Sequence, residues 1–264
     1  MHRKAVGARE LSRYPHGMAY RVRERLRFDP TSKTPFKLSR SRLELFLNCP
    51  RCFYLDRRLG VDRVGMPAFT LNSATDALLK KEFDVHRAAG TRHPIMEQYR
   101  IDAVPFRHPD IDVWRENFKG VEYHHEPTNL IITGAIDDVW QDTDGRLIVV
   151  DYKSTSTQKE ISLDDQWKQG YKRQMEIYQW LFRRRGFDVA ETGYFLFVNA
   201  DTSRPAFDGR LEFASSLVPY TGNDGWVEDA IVAAHACLKA ETLPDSSAGC
   251  EWCAYREAVV AAAR

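Results

Sequence analysis

Asp151 and Lys153 close the apolar run 147–150, with Tyr152 between them. Side chains of a strand alternate between faces, so Asp151 and Lys153 share one face and Tyr152 takes the other. Ionised groups beside an apolar core are expensive to desolvate unless a metal or a partner compensates them. Upstream, Asp137 ends Gly134-Ala135-Ile136-Asp137 in a second β-branched run, and Asp142-Thr143-Asp144-Gly145 supplies turn chemistry between the runs. A short loop over 143–145 sets Asp137 opposite Asp151, with Cβ atoms ~4.5–5.5 Å apart. Carboxylates that close repel, and a hard divalent cation, Mg2+ or Mn2+, relieves the repulsion. Phosphodiester hydrolysis is the chemistry that suits such a centre, because the metal acidifies a water and neutralises phosphate charge. Lys153 can then orient the water or stabilise charge in the transition state.

A second constellation is sulfur. Cys49-Pro50-Arg51-Cys52 and Cys250-Glu251-Trp252-Cys253 are C-x-x-C pairs about 200 residues apart. Four thiolates suit a tetrahedral zinc or an iron–sulfur cluster equally. Both pairs lie outside the carboxylate hairpin, so a metal there staples the N-terminal helix to the C-terminal helix. Cys237, inside the helical run 231–238, reads as a packed core thiol.

The elements that must position these groups follow from periodicity and caps. Ser39 and Ser41 are good N-caps for a helix over 40–59, irregular at Pro50 and stopped by Gly60. Asn72 caps a helix over 73–89 that Gly90 ends, and a short helix falls around 111–118. Strands over 129–140 and 146–153 make a hairpin, and an amphipathic helix over 166–185 closes at Gly186. Strands over 192–200 and 210–219 and helices over 224–240 and 251–263 follow. Helices, then a hairpin, a helix and more strands predict one α/β domain with a mixed β-sheet flanked by helices.

In order, Gly134-x-Ile136-Asp137, Asp151-x-Lys153 and Gln174-x-x-x-Tyr178 resemble the PD-(D/E)XK nuclease superfamily. Within it they are similar to the RecB-like branch, which includes the AddB and CRISPR-adaptation nucleases. Gln174 and Tyr178 are four residues apart and share a helix face. The resemblance spans about 39–255 and implies a restriction-endonuclease-like core. It implies catalytic roles for Asp137, Asp151, Lys153, Gln174 and Tyr178, with Mg2+ or Mn2+ held by Asp137, Asp151 and the Tyr152 carbonyl. The family pattern G-x-x-x-H-x-x-L aligns with 72–79, where Asn72 stands at the Gly and Asp76 at the His. Asp76 is thereby implied as a further metal ligand. Lys80, Lys81 and Glu82 after it read as a solvated face, with a lysine near phosphate as the alternative. RecB-like relatives also carry a 4Fe-4S cluster. Cys49 matches their Cys-Pro, Cys250 and Cys253 match two of three C-terminal cysteines, the third is absent near Val259, and Cys52 is extra. The resemblance favours a rearranged two-plus-two cluster, and bare spacing favours structural zinc. It implies a metal-dependent nuclease acting on DNA, with single strands or strand ends favoured and a helicase or a recombination or repair protein as partner. The rival of the same fold is a DNA-binding or scaffold protein that has lost turnover; a zinc-stapled interaction protein is a third class.

Of the 264 residues, 43% are hydrophobic and 28% charged, which excludes wholesale disorder. No run approaches the ~20 apolar residues of a membrane span, and no signal peptide is expected, since no apolar run follows the basic residues of the N-terminal region. Five cysteines are too few for a disulfide scaffold of this length, so a reducing, cytoplasmic setting is expected. The net charge of +1 hides twelve Lys/Arg against three acids over residues 1–42. We expect a basic, poorly ordered arm over 1–36, ahead of a nuclease domain over 37–264. Such an arm suits an anionic partner, or it is a solubilising tail.

Overall fold

The computed structural model describes residues 22–63, 65 and 69–263. Its strands form two mixed sheets rather than one. A three-stranded sheet runs in the order β1-β4-β3, from β1 (Phe36–Ser39), β3 (Val121–His125) and β4 (Leu130–Gly134). A five-stranded sheet runs in the order β2-β5-β6-β7-β8. Its members are β2 (Ala103–Pro105), β5 (Asp138–Asp142), β6 (Leu147–Thr155), β7 (Thr192–Ala200) and β8 (Phe213–Thr221). The strand expected over 129–140 is therefore two strands in different sheets, joined through 135–137. Three contacts make this break. The Tyr178 hydroxyl donates to the Ala135 carbonyl at 2.6 Å, and the Ile136 N–H donates to the Trp114 carbonyl at 3.0 Å. A Cβ on Gly134 would lie 2.6 Å from the Tyr178 ring, so only glycine lets the strand end there.

The helices are α1 (Arg40–Asn48), α2 (Pro50–Arg57), α3 (Thr70–Ala89), α4 (Pro94–Gln98), α5 (Ile111–Arg115), α6 (Gln169–Arg184), α7 (Val227–Lys239) and α8 (Glu251–Ala262). The helix expected over 40–59 is two, because Cys49 is extended (φ −162°) and Pro50, with no N–H to donate, opens the second. α3 begins earlier than expected: the Ser73 N–H already donates to the Phe69 carbonyl at 3.1 Å, so Asn72 lies inside the helix. α5 is shorter than the predicted 111–118, because Glu116 turns to extended backbone. The last strand is shifted to Phe213–Thr221 by its antiparallel pairing with β7, in which Ala200 meets Phe213. β1, β2 and β3 were not anticipated at all.

The central strands of the five-stranded sheet, β5, β6 and β7, are buried on both faces, whereas the edge strand β8 is largely exposed. Val139, Val149, Phe195 and Phe197 pack with Met175 and Ile177 of α6. Trp140, Ile148, Val150 and Leu196 pack with Leu79 and Phe83 of α3 and Met96 of α4. Behind the hairpin, Asp138 is fully buried yet fully partnered. Its carboxylate accepts from Arg87 (2.5 Å), Arg115 (2.8 Å), the Tyr152 hydroxyl (2.8 Å) and the Val139 N–H (2.7 Å). Such pairing is what a buried carboxylate requires.

Of the expected basic arm, residues 1–21 lie outside the described residues. From Val22 on, Phe28 is buried edge-on against Phe36 and His235, with ring centroids 5.4 and 5.9 Å away. Among the described residues no helix is long and apolar enough to cross a membrane.

Candidate active site and metal centre

The hairpin register puts the carboxylates together. Asp138 pairs with Val150 and Gln141 with Leu147, and the Asp142 N–H donates to the Arg146 carbonyl at 3.0 Å across a loop over 143–145. Continued one step past β5, this register sets Asp137 against Asp151. Asp137 itself sits in the break between the sheets, where its Oδ2 accepts from the Tyr152 N–H at 2.9 Å. Tyr152 points to the opposite face, into the core beside Phe83, with its hydroxyl on Asp138.

Asp151 is wholly buried, and its ion pair is with Lys153. Neither of its oxygens accepts a hydrogen bond of regular geometry among the described residues. Burial, then the neighbouring charge of Asp151, raises the Asp137 carboxyl to about 6. Burial opposes the charge on Lys153, but the carboxylates of Asp151 and Asp137 outweigh it and hold its pKa above the usual range. Lys153 is thus a fixed cation near neutral pH. The Lys153 ammonium also approaches the Gln174 Oε1 (3.5 Å) and lies 4.6 Å from the Tyr171 ring centre. Gln174 in turn donates to the Tyr178 hydroxyl at 3.0 Å. One face of α6 thereby joins Lys153 to the Ala135 carbonyl, two residues before Asp137.

α3 brings Asp76 to the same place, though through a residue read from sequence as solvated. Lys80 lies between the two acids, 2.9 Å from Asp76 Oδ2 and 3.7 Å from Asp137 Oδ1. Burial and then the charge of Asp137 raise the Asp76 pKa. The signal for Lys80 was its i,i+4 spacing from Asp76, and that for Tyr171 its place on the Gln174 face. Asp137 and Asp151 crowd each other beside Lys153, with Asp76 beyond Lys80, and such an acidic cluster would suit a hard divalent cation. Asp137, Asp151 and the Tyr152 carbonyl, with Asp76, are the oxygens that would hold it.

The four cysteines converge. Their sulfurs all lie within 4.8 Å of one another. Cys49–Cys253, Cys52–Cys250 and Cys52–Cys253 are 3.8, 3.7 and 3.6 Å apart. Each pair opens a helix: Cys49 precedes α2 with Cys52 in its first turn, and Cys250 precedes α8 with Cys253 in its first turn. Helix N-termini favour thiolates. Burial opposes ionising Cys49, but the N–H groups of Ser247 and Cys52 outweigh it and bring the thiol down to about 6. Burial and the neighbouring sulfurs push Cys253 up to about 12, a crowding that a bound metal ion would relieve. Arg63 and Arg256 donate to the sulfurs of Cys250 and Cys253 at 3.7 and 3.6 Å. Cys237 stands apart, half-buried, its thiol raised by burial to about 11.

The structure thus sets an Asp, Asp-x-Lys hairpin in a two-sheet α/β core. The sequence profile of the PD-(D/E)XK nuclease superfamily matches residues 70–258, and the chain belongs to that superfamily. The match takes in Asp76, the hairpin, α6 and the second cysteine pair. Among solved structures, one titled "Crystal structure of SSO0001" aligns over 82% of each chain with 16% sequence identity and a TM-score of 0.38. No curated protein matches the chain.

Proposed function

We propose that the chain is a metal-dependent nuclease that hydrolyses phosphodiester bonds in DNA, of the RecB-like kind. The observation that carries this reading is the wholly buried Asp151 carboxylate, ion-paired with Lys153 and close enough to Asp137 to raise its carboxyl. When bound there, Mg2+ or Mn2+ neutralises charge on the phosphodiester and acidifies an adjacent water. Lys153, held protonated, stabilises the phosphate charge that grows in the transition state and does not act as a base. Gln174 fixes the Lys153 ammonium, and Tyr178 fixes Gln174 and the turn that carries Asp137. Asp76 completes the carboxylate set, and its contact with Lys80 must open for it to serve as a ligand.

We read the cysteine group as a structural metal centre apart from the chemistry. A single tetrahedral ion with bonds to sulfur of ~2.3 Å sets its ligands about 3.8 Å apart. Three of the sulfur separations are 3.6–3.8 Å and all four sulfurs lie within 4.8 Å of one another, which supports zinc. A 4Fe-4S cube, which the resemblance favours, attaches each thiolate to a different iron and spreads them wider. Metal analysis with an absorption spectrum after anaerobic purification separates the two. A role in DNA repair, beside a helicase or recombination protein, rests on the resemblance.

The test is cleavage of labelled DNA with Mg2+ or Mn2+, with and without chelator, by the wild type and Asp151→Asn. The reading requires chelator-sensitive cleavage lost in the variant. Folded, metal-replete protein that never cuts would instead favour the scaffold rival.

A further inference from the structure

Two aromatic rings near the carboxylate centre face water. Phe118 is 96% exposed and Trp167 is 67% exposed. Phe118 is also held at φ +75°, in the left-handed region that a bulky residue enters only at an energetic cost. The loop keeps it there: the Gly120 N–H donates to the Val113 carbonyl at 3.1 Å, and Lys37 donates to the Phe118 carbonyl at 3.0 Å. Neither burial nor backbone preference explains a ring so placed, and strain of this kind collects at binding sites.

Each ring borders its own cavity. One, of about 230 Å³, is lined by Phe118, Arg40, Ala135 and Tyr178. The other, of about 430 Å³, is lined by Trp167, Lys159, Tyr171 and Lys153. Trp167, Tyr171, Gln174 and Tyr178 follow one another along the same side of α6 and the turn before it. The Lys153–Gln174 contact therefore lies between the cavities. From Trp167 to Tyr178 is about 16 Å at the rise of a helix, the reach of a few nucleotides of an extended strand. Each cavity also holds a cation, Arg40 or Lys159, that makes no ion pair among the described residues. The Trp167 wall carries Lys153, Lys159 and Lys168 against Glu160 and Asp165, the last already paired with Lys168 at 2.7 Å.

We infer that Phe118 and Trp167 are base-stacking stations on either side of the scissile phosphate, with Arg40 and Lys159 taking the flanking phosphates. The inference rests on the proposed nuclease reading and deepens it. An aromatic face binds any unpaired base, whereas a paired base inside a duplex has no free face to offer. Both rings are positioning residues: they hold the strand, and the hairpin acts on it.

The test is binding of a short labelled single strand in chelator, by fluorescence anisotropy, so that it does not depend on cleavage. Phe118→Ala and Trp167→Ala should each weaken binding by roughly tenfold or more, since stacking on one ring carries about that much affinity. Phe118→Tyr and Trp167→Phe, which keep a ring, should restore most of it. On an abasic strand the alanine variants should bind as the wild type does. Circular dichroism checks that each variant folds. Alanine variants that bind the normal strand within twofold of the wild type overturn the inference, as does an equal loss on the abasic strand. Intact stacking with no cleavage under any metal would sink the nuclease reading and leave the stations standing. A wild type that binds no strand would sink both.

Discussion

Asp137 and Lys80 together set how the carboxylate centre meets a metal. The Asp137 carboxyl, raised to about 6, has a folded-state pKa above its unfolded value. The metal-free fold therefore binds this proton more tightly than the unfolded chain does. The stabilising contribution is present at low pH and is lost as pH rises through about 6. A metal must displace that proton, so Mg2+ or Mn2+ affinity measured by calorimetry should weaken steeply as pH falls through about 6. Affinity that is flat across that window would contradict the placement of Asp137. Lys80 competes for the same oxygens. Lys80→Ala should tighten metal binding several-fold in the same titration, and weaker binding would show that Lys80 supports the centre. At this scale the geometry is legible in the sequence where it is local. The Asp-x-Lys alternation and the short turn over 143–145 carry the pairing of Asp137, Asp151 and Lys153. The place of Lys80 between Asp76 and Asp137 is not legible, because one helix face looks the same whether it meets water or a second acid.

Among the elements, the break at 135–137 does most to aim the site. It turns Asp137 out of one sheet toward the other, and it depends on Tyr178 of α6 resting on Gly134. Gly134→Ala should push the ring away, lower stability by about 1–3 kcal/mol in denaturant unfolding, and reduce cleavage as well. Unchanged stability would mean that the strand and helix can part freely. The run 129–140 gave no hint of this break, since its residues all favour strand and the contacts that interrupt it come from α5 and α6, far along the chain. β1 and β3 were missed for a similar reason. Each is short, and each is specified by pairing with β4, β1 in parallel from some ninety residues away. Helix ends signalled by glycine, at Gly90 and Gly186, were legible because the left-handed residue after a helix is a local requirement.

Across the whole molecule, the cysteine group ties α2 to α8, and the chain between them carries both sheets. Metal binding to such a site is also folding free energy, and it closes a very long loop. Any one of Cys49→Ser, Cys52→Ser, Cys250→Ser or Cys253→Ser should lower metal content and Tm together, with cleavage changed only through stability. Loss of metal with no change in Tm would deny the staple its structural role. That the two pairs meet was legible from spacing alone; which metal they suit was not, because it depends on sulfur separations that only the packing of α2 on α8 sets. The basic residues 1–21 extend the positive charge of the N-terminal region. Their removal should flatten the salt dependence of DNA binding without abolishing cleavage. The most direct test of the central claim is the single-turnover cleavage rate of Lys153→Ala beside the wild type, at saturating Mg2+ or Mn2+, with fold checked by circular dichroism. A folded variant slowed by about a hundredfold or more is the predicted result, as expected when a charge that stabilises the transition state is removed. A folded Lys153→Ala that cuts at the wild-type rate would contradict it.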